Sequence, residues 1–198
     1  MSRIRTVTLA VGGLWLGVAL CTAADSRSCA ELEGAAPQGH VEYLLRDRSA
    51  LTPACVAYAA DQIGLRKYGP AAKTLVKLLD YRLPDDPATA RFAGISRIPT
   101  LGRIYPVTDA LCEIGKAAVP ALLDAVASAA ISDVARVNAI HVLALIHRAD
   151  VTEGIRVLIR ASKSASDRQA SIRLYDAARA IAGMCREPER NSCMNALQ

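Results

Sequence analysis

Aromatic side chains are scarce in this chain, which contains one tryptophan and one phenylalanine. The tryptophan, Trp15, lies in an N-terminal segment that we expect to be removed, so only Phe92 remains of the two. Proteins that bind single-stranded nucleic acids stack successive bases on aromatic side chains. The basic surplus is also small, because two of the 24 Lys and Arg residues lie in that segment, which leaves 22 against 19 acids. We therefore predict no nucleic-acid partner.

The sequence also lacks the signatures of catalytic and metal sites. It has no Cys-x-x-Cys pair, no Gly-x-Ser-x-Gly elbow and no phosphate-binding glycine loop, and its three histidines have no metal-ligand spacing. Asp109 and Glu113 lie at i and i+4, so their carboxylates can lie on the same face of a helix, as a general acid–base pair would require. Lys116 lies nearby, which favours an ordinary solvated helix face instead. We predict that the chain is not an enzyme, with no catalytic residue, metal ligand or cofactor.

Residues 1–24 read as a secretory signal peptide. Two arginines precede an apolar run, Val7–Leu20, and the small residues Thr22-Ala23-Ala24 follow it. This pattern predicts cleavage near Ala24 and a secreted or periplasmic protein. The alternative is a retained anchor, which is disfavoured because the run is shorter than the ~20 residues that span a bilayer. Lipidation of Cys21 is disfavoured by the bulky Leu20 before it. Membrane contact is expected only through this segment, if it is not cleaved.

Five cysteines follow the signal peptide, and an oxidising compartment favours pairing them. Cys185 and Cys193 flank a short polar turn that can bring them together. Cys29 and Cys55 can join the N-terminal segment to the first helical hairpin. Cys112 lies among apolar helix positions, so we expect a buried free thiol.

Apolar residues recur with the period of a helix through most of the chain. Val56, Ala59, Ala60 and Ile63 fall at i, i+3, i+4 and i+7, and the same pattern returns several times. No segment shows the sustained alternation of a strand, so we predict an all-α protein. Breaks in the pattern pair the helices into hairpins. Gly and Pro residues divide the first two pairs, 51–65 with 70–82 and 107–115 with 118–129, and His147 to Asp150 separates the third, 133–147 with 151–163. A fourth pair begins near Ser166.

Residues 109–126 read DALCEIGKAAVPALLDAV, which resembles a HEAT repeat of the phycobilisome-lyase type. Tyr58 to Leu79 is similar but looser, and the later units match in periodicity only. The resemblance implies a short right-handed α-solenoid of three to four HEAT-like hairpins over residues 51–198. Residues 25–50 are expected to cap its first unit, with Tyr43, Leu44 and Leu45 covering the open face.

HEAT arrays serve many functions, mostly as binding scaffolds, so the resemblance implies fold rather than chemistry. We predict a non-enzymatic protein-binding or scaffold module of the cell envelope or exterior, with a protein partner. The alternative is a lyase or chaperone-like enzyme, as some relatives are. Cys112 is the only thiol that the alternative can use, and it would have to be exposed with a low pKa.

An inserted segment, Leu83–Tyr105, separates the first two units and carries three prolines. Its apolar residues recur every third position with arginines between them. One interpretation is a docking element, and the other is packing across the edge of the array, which the regular spacing favours. The partner-binding residues in the first interpretation are Arg91, Phe92, Arg97, Arg103 and Tyr105.

Basic residues also line the second helices of two hairpins: Lys73 and Lys77 in the first, and Arg156, Arg160 and Lys163 in the third. Second helices usually line the concave face of a solenoid, so these residues can form a basic groove for an acidic partner. The intervening unit has no Lys or Arg in its second helix, which interrupts the stripe. Ordinary solvated faces are the alternative, and the interruption favours it.

Overall fold

The computed structural model describes residues 29–84 and 104–198 of the chain. Within these ranges the chain is helical and contains no strand, which confirms the prediction of an all-α protein. The helices are α1 Pro37–Leu44, α2 Pro53–Leu65, α3 Ala72–Leu75, α4 Pro106–Ile114, α5 Val119–Ala127, α6 Asp133–Ile146, α7 Val151–Ser164, α8 Arg168–Met184 and α9 Arg190–Asn195, with 3₁₀ turns at Ala30–Leu32, Arg48–Ala50, Gly69–Ala71, Val76–Leu78 and Gly115–Ala118. The predicted signal peptide lies outside the described residues.

Local signals in the sequence set where the helices begin. Proline occupies the first turn of α1, α2, α4 and α5, where its missing N–H costs no hydrogen bond. Side-chain oxygens cap the three later helices, each accepting a hydrogen bond from a backbone N–H of the first turn: Ser132 for α6, Asp150 for α7 and Asp167 for α8. At the corner after α4, Gly115 has φ +69°, which favours glycine over residues with a side chain.

The first two predicted hairpins pack on each other through α2 and α4. A methyl group built on Gly64 of α2 would lie 2.9 Å from the Cα atom of Ala110 in α4, so the two helix backbones approach closely here. Their corners also meet, because a methyl on Gly69 would lie 3.2 Å from the Cβ atom of Ala117. Ile63, Leu111 and the other apolar residues of this contact are buried in one continuous core.

The helices pair differently in the second half of the chain. The sequence predicts a hairpin of 133–147 with 151–163, and both helices form, as α6 and α7. However, α7 packs most extensively along α8, and it contacts α6 mainly at their corner, where a methyl on Gly154 would lie 2.8 Å from the Cβ atom of His147. Helix α8 also packs against α5. An amphipathic stripe requires a partner surface but does not specify which helix supplies it.

The N-terminal residues 29–50 pack on α2. The Tyr43 hydroxyl accepts a hydrogen bond of 3.0 Å from the N–H of Thr52, and the structure joins Cys29 to Cys55 across a Cα–Cα distance of 5.3 Å, as predicted. Of the three residues expected to cover the open face, Tyr43 and Leu44 are buried, but Leu45 is 57% exposed. The prediction for Leu45 was wrong because α1 ends at Leu44 and the next residue turns away from the core.

A polar cluster joins distant parts of the chain. Asp80 accepts hydrogen bonds from Arg48 and from the hydroxyl of Ser132, and these bonds lower its pKa although burial opposes them. The buried Asn138 amide donates a hydrogen bond of 2.7 Å to the carbonyl of Leu79. Each contact links residues more than 30 positions apart, so the cluster fixes α6 against the first hairpin.

The two ends of the inserted segment lie beside each other. The N–H of Leu83 donates a hydrogen bond of 2.8 Å to the carbonyl of Ile104, and Leu83 is buried. The chain therefore leaves and re-enters the helical array at one place. Arg91, Phe92, Arg97 and Arg103, the predicted docking residues, lie outside the described residues and stay predictions.

Candidate functional site: a cationic groove between α7 and α9

An open groove of about 650 Å³ runs between α7 and the short C-terminal helix α9. The structure joins Cys185 at the end of α8 to Cys193 in α9, across a Cα–Cα distance of 6.5 Å, as the sequence predicts. Cys193 is fully buried, so this bond fixes α9 beside α7. Helix α9 thus forms the second wall of the groove. The groove is lined by Thr152, Arg156, Ile159, Arg160, Lys163, Ser192, Asn195, Ala196 and Gln198.

Three cationic side chains form the α7 wall. Arg156, Arg160 and Lys163 lie at i, i+4 and i+7, so they share one face and span about 10 Å along the helix. All three are exposed, while Ile155 and Leu158 are buried against the core. The amphipathic stripe that anchors α7 therefore directs its cations outward into the groove.

Two of these cations are available for a ligand. Arg160 forms a 2.6 Å salt bridge with Glu153, one that water screens because both side chains are partly exposed. Neither Arg156 nor Lys163 forms a salt bridge or a side-chain hydrogen bond within 29–84 and 104–198. Asp150, which interacts electrostatically with Arg156, is engaged elsewhere: it caps α7, and hydrogen bonds from Thr152 and Glu153 lower its pKa, with a smaller effect of Arg156.

The side chains of the remaining walls are uncharged. Ile159 is nearly buried and gives the groove an apolar patch between the cations, while Ser192 and Asn195 are exposed polar residues of α9. The sequence analysis missed Thr152 and the residues of α9 as parts of this site. Their only signal was the predicted pairing of Cys185 with Cys193, which by itself does not identify the helix that α9 faces.

The other predicted binding residues lie elsewhere. Lys73 and Lys77 are exposed on α3 and the turn that follows it, and neither lines the α7–α9 groove. Tyr105 is half-buried and precedes α4, where its carbonyl accepts hydrogen bonds of 3.1 Å and 2.6 Å from the N–H and hydroxyl of Thr108. The backbone of Tyr105 thus stabilises the first turn of α4.

The one unpaired cysteine among the described residues is Cys112 on α4. The predicted absence of a disulfide is correct, but part of the residue is exposed. Burial raises the pKa of its thiol to about 12, and the acids Asp109 and Glu113 add to the shift. The thiol is therefore protonated at neutral pH, and a protonated thiol is a weak nucleophile.

The two disulfide bonds suit an oxidising compartment. Over the described part of the chain, none of the helices combines the length and apolar character needed to cross a membrane. In the same residues, no three His, Cys, Asp or Glu side chains gather where a metal ion could be held. No protein-family model, no curated protein and no solved structure matches this chain.

Proposed function

We propose that this chain is a non-enzymatic protein-binding or scaffold module of the cell envelope or exterior, which recognises an acidic surface of a protein partner. The observation that carries the proposal is the α7–α9 groove, where Arg156 and Lys163 are exposed and have no acidic partner among the described side chains. Cationic side chains that stay unpaired in the free protein attract carboxylates and lose no internal contact on binding.

The proposed architecture is a short HEAT-like α-solenoid. Its support is the stacking of the first two hairpins, where Gly64 permits close contact of α2 with α4 and the corner at Gly69 meets the corner at Ala117. Solenoids expose long lateral surfaces and are widely used to bind extended partners. The pairing of α7 with α8 would then close the array at its C-terminal end.

Three of the other acids have structural roles, which favours a binding role over catalysis. Asp150 and Asp167 cap helices, and Asp80 joins three parts of the fold. The high pKa of Cys112 disfavours the alternative of a lyase or chaperone-like enzyme, which needs a reactive thiol. Thiol labelling checks this: Cys112 should react slowly in the native protein at neutral pH and rapidly after denaturation. Fast native labelling would revive the enzymatic alternative.

A comparative pull-down tests the binding role. The mature chain, tagged at its N-terminus so that the groove stays free, is incubated with envelope extract. The double variant Arg156→Glu, Lys163→Glu is compared with the wild type, and the matched control is Lys67→Glu, Lys116→Glu, which makes the same charge change at exposed sites outside the groove. We expect proteins that the wild type and the control recover and the groove variant loses.

Equal recoveries with all three proteins would refute the groove as a partner site. A fourth protein, with Arg91, Arg97 and Arg103 changed to alanine, tests the inserted segment separately. Recoveries equal to the wild type would remove that segment from the proposed binding surface.

A further inference from the structure

We infer that the α7–α9 groove binds an extended segment of the partner in which two carboxylates lie three residues apart and flank an apolar residue. The inference rests on the proposed function and specifies its ligand. It uses three features of the groove: the spacing of its free cations, its size, and the neutral groups between and opposite them.

The spacing of the cations sets the spacing of the carboxylates. Arg156 and Lys163 are seven residues apart on α7, which corresponds to a rise of about 10.5 Å. In a polyproline II segment, residues i and i+3 share a face and lie about 9 Å apart, at roughly 3.1 Å per residue. Two acids three residues apart can therefore reach both cations at once. Adjacent acids point in different directions and reach only one.

The size of the groove limits how much of a partner it can hold. Its volume of about 650 Å³ lies within the range of ordinary ligand sites, so it suits a few residues of the partner.

The chemistry of the walls agrees with an extended ligand. Such a segment has no internal backbone hydrogen bonds, so its N–H and C=O groups need outside partners. The Ser192 hydroxyl and the Asn195 amide can supply them, and neither side chain makes a hydrogen bond to another described residue. Ile159, which is 7% exposed, lines the groove beside the cations and offers a small apolar contact to a neighbouring side chain of the segment.

The two cations contribute differently. The guanidinium of Arg156 can bind a carboxylate through two parallel hydrogen bonds, whereas the ammonium of Lys163 acts as a compact charge. Arg160 adds positive charge, but Glu153 already engages it. Arg156 should therefore matter more than Lys163, and Arg160 least.

The test uses the mature full chain and fluorescein-labelled hexapeptides, with binding followed by fluorescence anisotropy at low and moderate salt. The first peptide is Ser-Glu-Leu-Ala-Glu-Ser. Its isomer Ser-Glu-Glu-Leu-Ala-Ser has the same composition and charge, and Ser-Gln-Leu-Ala-Gln-Ser has neither carboxylate. We expect the first peptide to bind about fivefold more tightly than the isomer, which loses one ion pair, and the glutamine peptide to bind weakest. Added salt should weaken binding.

Protein variants assign the contacts. Arg156→Gln and Lys163→Gln should each lower the affinity for the first peptide about fivefold or more and should remove its advantage over the isomer. Lys116→Gln, at an exposed position that does not line the groove, is the matched control and should bind as the wild type does. Both groove positions are exposed, so circular dichroism should show folded variants.

Equal binding of the first peptide and its isomer, or unchanged affinity in both groove variants, overturns the inference. So does groove-dependent binding of a DNA duplex or of acidic lipid vesicles without binding of the peptide. If the peptides fail while the pull-down still shows partners that depend on the groove, the ligand assignment falls and the proposed function stands. If the pull-down also shows no such partner, both fall.

Discussion

The close approach of α2 and α4 predicts that one glycine cannot accept even a methyl group. The Cβ atom of Gly64→Ala would lie 2.9 Å from the Cα atom of Ala110 and 3.4 Å from its Cβ atom. Because the nearest atom belongs to the backbone, the helices themselves have to move apart. Alanine gains about 1 kcal/mol over glycine in helix propensity, but overpacking that moves backbone should cost about 2–3 kcal/mol, the upper part of the usual range. We expect the free energy of unfolding to fall by about 1–2 kcal/mol.

Gly183 in α8 is the matched control. It is exposed, and a methyl group built on it meets no atom within 4 Å. Gly183→Ala should therefore raise the free energy of unfolding by about 0.5–1 kcal/mol through backbone entropy alone. The same chemical change should thus have opposite signs at the two sites.

Urea denaturation of the oxidised mature protein, followed by far-ultraviolet circular dichroism, measures both variants. The midpoint should shift while the slope stays unchanged. For a chain of this size the melting temperature should fall by about 2–8 °C for Gly64→Ala and rise by about 1–4 °C for Gly183→Ala. Adding Ala110→Gly to Gly64→Ala should restore little, because the Cα atom remains. If Gly64→Ala stabilises the protein as Gly183→Ala does, the two helices do not touch at this point.

Three further measurements probe other parts of the fold. Replacing Cys29 and Cys55 by serine should lower the free energy of unfolding by about 3–4 kcal/mol, and replacing Cys185 and Cys193 by about 2–3 kcal/mol, because the sequence separations are 26 and 8 residues. Urea denaturation of the two variants measures both values. A larger loss for the Cys185 and Cys193 pair would contradict the dependence on loop length. Burial lowers the pKa of both His40 and His147, and Arg66 adds to the shift at His40. As the pH falls, these histidines therefore bind protons in the unfolded state at a higher pH than in the folded state. The free energy of unfolding should decline as the pH falls below about 6.5. Melting curves of His40→Met between pH 7 and pH 5 should show a smaller decline than the wild type, and an equal decline would rule out His40 as a cause. Asn138→Leu should lower the free energy of unfolding by about 1–3 kcal/mol, since it leaves the Leu79 carbonyl without its donor, whereas Asn195→Leu at an exposed site should change it by less than about 0.5 kcal/mol.

The local parts of the fold could be predicted from the sequence because their causes are local. The unit around Gly115 is the clearest case: the predicted helices 107–115 and 118–129 appear as Pro106–Ile114 and Val119–Ala127. Glycine with positive φ and proline in a first turn act within a few residues. The cysteine pairs were also within reach, since a short polar turn brings Cys185 close to Cys193.

Long-range partners could not be predicted in this way. The apolar stripe of α7 requires burial but fits α6 and α8 equally well, and only the packed structure shows that α8 takes most of the contact. For the same reason, the sequence predicts the α7 side of the groove but not its α9 side. Arg156, Arg160 and Lys163 share a face by helical spacing, whereas Ser192 and Asn195 depend on where a six-residue helix is anchored.

The hydrogen bond between Leu83 and Ile104 has a consequence for the segment that it closes. Both ends of the inserted segment are thus fixed at the same point, and its length sets the size of the loop that is closed there. The entropy of closing a loop grows only slowly with its length, by about 0.6 kcal/mol for each doubling. A change in the length of the segment, taken apart from a change in its sequence, therefore alters the entropy of loop closure only slightly.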